Sequence, residues 1–211
     1  MLHQIQHELE SLYQIPISKP VEEFLLPEIE SSSVAENPWI LHSDEALLVE
    51  QSDEHLDIGL WLNPELLAWS EKNDWDDLQH ENDLQLVNKL GPLIEGVSHF
   101  MYLLWRAEKN MNVTQLELEL QAEVDKFILL DKLFEKMPSQ TVMKALFEGV
   151  SWNPALNDME KERYETAVKF ASQYCEYLRV NHLKEDPTVI LPEIRSFYRM
   201  SQSEKIRHIS I

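Results

Sequence analysis

Between residues 2 and 13, Leu2, Ile5, Leu9 and Leu12 recur at spacings of three and four. That spacing predicts a short amphipathic helix, ended by Pro16 and Pro20. Residues 21–26 form a short apolar run that reads as a strand, and residues 30–37, with Ser31, Ser32 and Ser33 in succession, read as a loop. The period then changes to two. Residues 46–51 and 56–62 are rich in Leu, Val, Ile and Trp, and Ser52-Asp53-Glu54-His55 between them is a polar connection of hairpin type. In the second run Leu56, Ile58, Leu60 and Leu62 alternate with Asp57, Gly59 and Trp61, so one face is apolar and an antiparallel β-hairpin is predicted.

After Leu62 the period becomes 3.6. Asn63-Pro64 opens a helix, because Asn caps free N–H groups and Pro suits the first helical position; the helix is predicted to reach residue 70 or 71. An acidic connection containing Trp75 covers 72–82. A longer helix starts near Asp83, is predicted to break or kink at Gly91-Pro92, and ends near residue 110. Asn112 or Thr114 caps the next, over 113–136, and Ser139 caps a short one to 148. Asn153-Pro154 and Asn157-Asp158 lead into a long helix over 159–183; a segment at 192–200 and a last turn from Ser203 close the chain. The pattern predicts an α+β, mainly α protein of one domain. A helical body, 63–211, carries an N-terminal part, 1–62, with a β-hairpin or three-stranded antiparallel element.

Composition narrows the class. The 211 residues are 44% hydrophobic and 27% charged, which is globular and sufficient for a full core. One cysteine, Cys175, permits no intramolecular disulfide and no Cys-x-x-Cys pair, which fits a reducing compartment and a cytoplasmic location. No secretory signal is read at residues 1–8. The most apolar stretch, 90–107, is interrupted by Glu95, His99 and Arg106, short of the roughly 20 apolar residues of a membrane span. Four glycines, with no Gly-rich phosphate loop, no Gly-x-Ser-x-Gly and no His-Glu-x-x-His, argue against nucleotide enzymes, serine hydrolases and zincins.

Charge changes the picture most. The net charge is -20, and residues 1–83 hold 20 acidic against 2 basic side chains. This surface repels phosphate, so nucleic acid is disfavoured as a partner; it suits a basic protein, or serves solubility alone. In the acidic connection, Asp74, Trp75, Asp76 and Asp77 form a candidate partner-binding site, with Trp75 as an exposed anchor.

Four further groups carry candidate chemistry. Glu95, Ser98, His99, Tyr102 and Arg106 share one narrow polar stripe of an otherwise apolar helix. It reads either as the solvent face of a core helix or as a carboxylate and imidazole one turn apart, able to transfer protons or approach one metal. The helix over 113–136 is apolar on two sides, through Leu116, Leu120, Val124, Phe127 and Phe134, and through Leu118, Ala122, Leu129 and Leu133. Glu123 lies between Leu130 and Leu116 and is expected to be partly buried, with Arg106 or His99 as its partner across a short turn. A register-fixing ion pair and a catalytic role are the two readings of that contact. Glu95, His99, Glu119 and Glu123 together suggest a metal site, but the ferritin-like pattern needs Glu-x-x-His, whereas Glu95/His99 and Glu204/His208 are four apart. No cofactor is therefore expected, with a divalent metal as the alternative. His3 and His7 are read as surface residues. Arg195, Arg199, Lys205 and Arg207, interleaved with Phe197 and Tyr198, form a basic patch expected to dock on the chain's own acidic part before any protein partner or nucleic acid. Cys175 is read as a packing residue. The expected function is that of a non-enzymatic cytoplasmic interaction or regulatory protein that contacts a partner through its acidic N-terminal surface. The alternative is a metal-dependent or acid/base enzyme built on Glu95, His99, Arg106, Glu119 and Glu123.

Overall fold

The structure, a computed structural model, describes residues 1–17, 19–26, 44–51, 56–79, 81, 83–150, 156–181 and 187–210. Helix α1 (Leu2–Tyr13) buries Leu2, Ile5, Leu9 and Tyr13, and ends at Gln14, whose left-handed φ of 52° lets its N–H reach the Glu10 carbonyl. The strand expected at 21–26 does not form. Val21–Phe24 is a single 3-10 turn, because the Val21 N–H is taken at 2.8 Å by the Gln6 side chain of α1 rather than by a strand. Only Leu25 makes an isolated parallel bridge to Leu60, with the Leu26 N–H donating to the Leu60 carbonyl at 2.8 Å. The sheet of the described residues is therefore two-stranded. Strand β1 (Glu45–Gln51) runs antiparallel to β2 (Leu56–Leu62), with Glu45 opposite Leu62 and Gln51 opposite Leu56. The segments at 30–37, 52–55 and 153–154 lie outside the described residues.

The helix starts follow local capping chemistry. Helix α2 (Pro64–Lys72) has Pro64 at its first position and Asn63 Oδ1 accepting from the Glu65 N–H at 3.0 Å. The acidic connection contains a short helix, α3 (Trp75–Leu78), capped by Asp74. Helix α4 (Val87–Glu108) runs unbroken through Pro92. Pro92 removes one hydrogen bond near the start of the helix, where Asn88 and Lys89 are exposed and water can serve the freed carbonyl. Thr114 caps α5 (Gln115–Leu133), accepting from the Glu117 N–H at 3.1 Å. Next come α6 (Ser139–Phe147), α7 (Asp158–Asn181), α8 (Pro187–Arg199) and α9 (Gln202–Ile209), the last opened by a capping box of Ser201 and Glu204. The fold is α+β and mainly α, and no helix of the described residues is long and apolar enough to cross a membrane.

Helix α4 is the centre. The hairpin, α1 and α5 all pack on it, and α7 packs on α5. Leu90, Leu93, Ile94, Val97, Phe100 and Met101 of α4 are each at most 1% exposed. The polar stripe of α4 is not a solvent face, because α5 and β1 cover it: Ser98, His99, Tyr102 and Arg106 are all buried. Gly96 lets the hairpin come close. A Cβ there would lie 3.1 Å from Leu60 Cδ1, 3.4 Å from Leu62 Cδ2 and 3.6 Å from Glu45 Oε2. A branched side chain must push the hairpin away, so Gly96→Val is expected to cost about 1–3 kcal/mol of stability. Urea unfolding checks this, with a lower midpoint as the expected outcome.

Candidate functional site

The charges of α4 meet those of α5 in antiparallel order. At one end, an Arg106 Nη donates to Glu117 Oε1 at 2.9 Å and to the Asn112 carbonyl at 2.8 Å, while the Tyr102 hydroxyl donates to the same Glu117 oxygen at 2.7 Å. Further along, His99 Nε2 faces Glu119 Oε2 at 3.6 Å. At the other end, Lys126 Nζ donates to Glu95 Oε2 at 2.9 Å and to Glu123 Oε1 at 2.7 Å. Strand β1 adds one more carboxylate: Glu45 Oε2 lies 3.6 Å from His99 Nδ1. The partner of Glu123 is thus Lys126, not Arg106 or His99. Arg106 is seven residues, about 10 Å of helix, from His99, and its charge is spent on Glu117.

Glu95, His99, Glu119 and Glu123 therefore stand together, joined by Glu45 and Lys126. One ligand atom each from Glu45, Glu95 and His99 lies within 4.8 Å of the others. His99 is 6% exposed, and both its Nε2 and Glu45 Oε2 are buried without a hydrogen-bond partner. Arg106 Nε and Arg163 Nε are also unpartnered, within guanidiniums bonded through their other nitrogens, and so are Asp131 Oδ1 and the Tyr198 hydroxyl. At His99 an imidazole and a carboxylate are left so side by side. Imidazole nitrogen with carboxylate oxygen is a donor set suited to Zn, Mn or Fe. With Nδ1 turned to Glu45 and Nε2 to Glu119, Glu119 can orient the ring while Nδ1 ligates.

The electrostatics follow from burial against neighbours. Burial opposes charge on His99, but the Glu119 and Glu45 carboxylates outweigh it and hold its pKa well above 6.5. Burial raises the pKa of Glu45, with His99 opposing. For Glu95 burial is overcome by Lys126 and His99, and its pKa falls; Glu123, with Lys126 alone, stays raised by burial. Lys126, despite burial, is held charged by Glu123 and Glu95. Burial, and then the charges of Glu119, Glu95 and Glu45, push up the Tyr164 phenol of α7.

A second polar group lies on the other side of the α4 and α5 contact. Asp125 accepts from Ser98 at 2.5 Å, from Gln121 at 2.8 Å and from the Tyr13 hydroxyl. Gln121 in turn accepts from Lys205 Nζ of α9 at 2.6 Å. That ammonium lies 4.4 Å from the Tyr102 ring centre and 5.0 Å from that of Phe197. Burial pushes Asp125 up to about 6 against these three donors, and depresses Lys205 to about 7.

The remaining sequence candidates are placed differently. Trp75 is 2% exposed and packs in the core, its N–H accepted by Gln4 of α1, so it is no exposed anchor; Asp76 and Asp77 are exposed, and Asp74 serves as a cap. Arg195, Arg199, Lys205 and Arg207 share no common surface. Arg195 donates to the Leu12 carbonyl at 2.8 Å and Arg199 to that of Tyr13 at 2.9 Å, which closes the C-terminus of α1; Lys205 is in the core and Arg207 is exposed. His208 lies 2.7 Å from Glu193, Glu204 is a capping residue, and His3 and His7 are exposed. Burial raises the pKa of the Cys175 thiol, so nothing activates it. Sequence reasoning missed Glu45 and Lys126. Nothing local marks Glu45 among its acidic neighbours, whereas the Glu123/Lys126 spacing of three was a readable signal.

Comparison of the chain with protein families, with curated proteins and with solved structures finds no match in any of the three.

The Lys205 shift has a definite sign. Its folded pKa, about 7, lies below the unfolded value of 10.5, so between these the unfolded chain binds more protons and stability rises with pH. From pH 7 to 9, the parent should gain on the order of 1 kcal/mol per pH unit over Lys205→Met. Paired urea titrations across that range measure it, and parallel stability curves would contradict it.

Proposed function

We propose that this chain is a divalent-metal-dependent protein of regulatory type, in which one ion held by Glu45, Glu95 and His99 fixes the hairpin on the helical pair. The observation that supports this reading is the convergence of these three donors, with Glu45 Oε2 buried and unbonded 3.6 Å from His99 Nδ1. Four carboxylates, Glu45, Glu95, Glu119 and Glu123, face the single ammonium of Lys126 and the imidazole. Such crowding is relieved either by protons, in line with the raised pKa of Glu45 and Glu123, or by a divalent ion, which also accounts for the converging donors. Because the donors come from β1 and α4, occupancy joins two elements, and binding free energy becomes stability of their contact. The hairpin and its surroundings present Glu22, Glu23, Glu50, Asp57, Glu65, Asp76 and Asp77 to solvent. The ion thus sets the position of an acidic surface suited to a basic protein partner.

A second reading, a metal-dependent or acid/base enzyme, draws on the donor count. Three protein ligands leave a coordination position for water, and the Glu95 side chain remains 20% exposed.

Elemental analysis of purified, untagged protein by plasma mass spectrometry tests the reading. About one Mn, Fe or Zn per chain is expected, lost in Glu45→Ala and in His99→Ala. Added metal should raise the melting temperature of the metal-free parent and leave both variants unmoved. Arg106→Ala is the control: it leaves Glu117 without its cation, at a cost of up to about 3–5 kcal/mol, yet keeps the metal. A parent that neither carries metal nor responds to it overturns the reading. Metal-dependent turnover in hydrolase and oxidase screens would favour the enzyme over the regulator.

A further inference from the structure

Lys126 occupies a peculiar place in the carboxylate cluster. Its Nζ bridges Glu95 Oε2 and Glu123 Oε1, at 2.9 and 2.7 Å, and Glu95 is also one of the three converging donors. A carboxylate shared between two cations, each bound by further carboxylates, is the layout of a two-metal centre, whose ions sit about 3.5–4 Å apart. Here the second cation is an ammonium tethered to α5. The stem of Lys126 reaches this place by passing Gly91 of α4, where a Cβ would lie 3.9 Å from Lys126 Cδ. The side chain is 10% exposed and both its partners are within hydrogen-bond distance, so it is held rather than swinging in solvent.

We propose that Lys126 is a resident cation of this centre and limits it to one exchangeable metal ion. The inference rests on the reading that Glu45, Glu95 and His99 hold the first ion. Without the ammonium, Glu95 and Glu123 would present two oxygens, already converged on one point, to a second divalent ion. A lysine that merely fixes helix register makes a different prediction: its removal costs stability and leaves the metal count unchanged.

The test is a titration of metal-free protein with Mn2+ by calorimetry, with the bound ion counted by plasma mass spectrometry. The parent should take up one ion and Lys126→Met two, the variant being refolded in Mn2+ because its two carboxylates lack a partner otherwise. Lys126→Met/Glu123→Gln removes the second site with the lysine and should return to one. Electron paramagnetic resonance gives an independent readout. The parent should show the hyperfine pattern of an isolated Mn2+, and Lys126→Met the broadened spectrum of an exchange-coupled pair. A Lys126→Met protein that binds one ion or none overturns the proposal, as does one that fails to fold in Mn2+ while the double variant folds. A parent that binds no ion defeats the first-ion reading and this one together. A parent with one ion and a variant with one defeats this one alone.

Discussion

A helix at the centre of a fold can carry charge only where every charge meets a partner, since an unpaired buried ion costs several kcal/mol. Helix α4 carries Glu95, His99 and Arg106 along one stripe and is covered on that stripe by α5 and β1. The partners come in reverse order along α5: Glu117 for Arg106, Glu119 for His99, Lys126 for Glu95. Sliding α5 by one turn would take Lys126 from Glu95 and Glu117 from Arg106, leaving both charges buried without a partner. Apolar contacts tolerate such slips far better than buried charges do. The charge order thus selects one antiparallel register, and the other contacts of α4 and α5 are built on it.

Tyr13 is where the two ends of the chain meet this pair together. Tyr13, the last residue of α1, sends its hydroxyl to Asp125 of α5, stacks at 4.0 Å on Tyr198 of α8 and gives its carbonyl to Arg199. The basic C-terminal helices therefore do meet the acidic N-terminal part, but at a helix terminus rather than at its carboxylates. Arg195 and Arg199 satisfy carbonyls that α1 cannot bond within itself. Among the described residues of 1–83, Glu22, Glu23, Glu50, Asp57, Glu65, Glu71, Asp76 and Asp77 are exposed, whereas Glu45 turns inward against His99.

Which parts were legible in the sequence follows from the range of the deciding interaction. Helix α1 and both strands lie within one residue of expectation because periodicity decides them; α2 starts as expected because Asn63 is a local cap, and α5 starts two residues after 113, at the second of the two expected caps, Thr114. Residues 21–26 failed because a side chain fifteen residues away, Gln6, claims the Val21 N–H. Of the break or kink expected at Gly91-Pro92, the break does not occur, because the proline falls where the lost bond faces water. Trp75 looked like an anchor among aspartates, yet Gln4 and the apolar face of α1 draw it inward. In the candidate site, the four residues on α4 and α5 were readable from two helical faces and a short turn. Glu45 was not, since only the closure of the hairpin over Gly96 brings it to His99.

The two buried polar groups at the α4 and α5 contact share the same helices and even adjacent residues. Ser98 and Asp125 belong to one, His99 and Lys126 to the other. Their accounting differs in kind. Asp125 has three donors for its two oxygens, from Ser98, Gln121 and Tyr13, and Gln121 passes the connection on to Lys205. Nothing further is needed there, and the group acts as a clamp on α1, α4, α5 and α9. Around His99 the balance is reversed: acceptors outnumber donors, and the imidazole stands 3.6 Å from two carboxylates, too far for a hydrogen bond to either. A chain that satisfies one buried carboxylate with three donors and leaves its neighbours short has not run out of donors in general. The shortage of donors around His99 lies where β1, α4 and α5 converge, which is where a cation would meet ligands from both strand and helix.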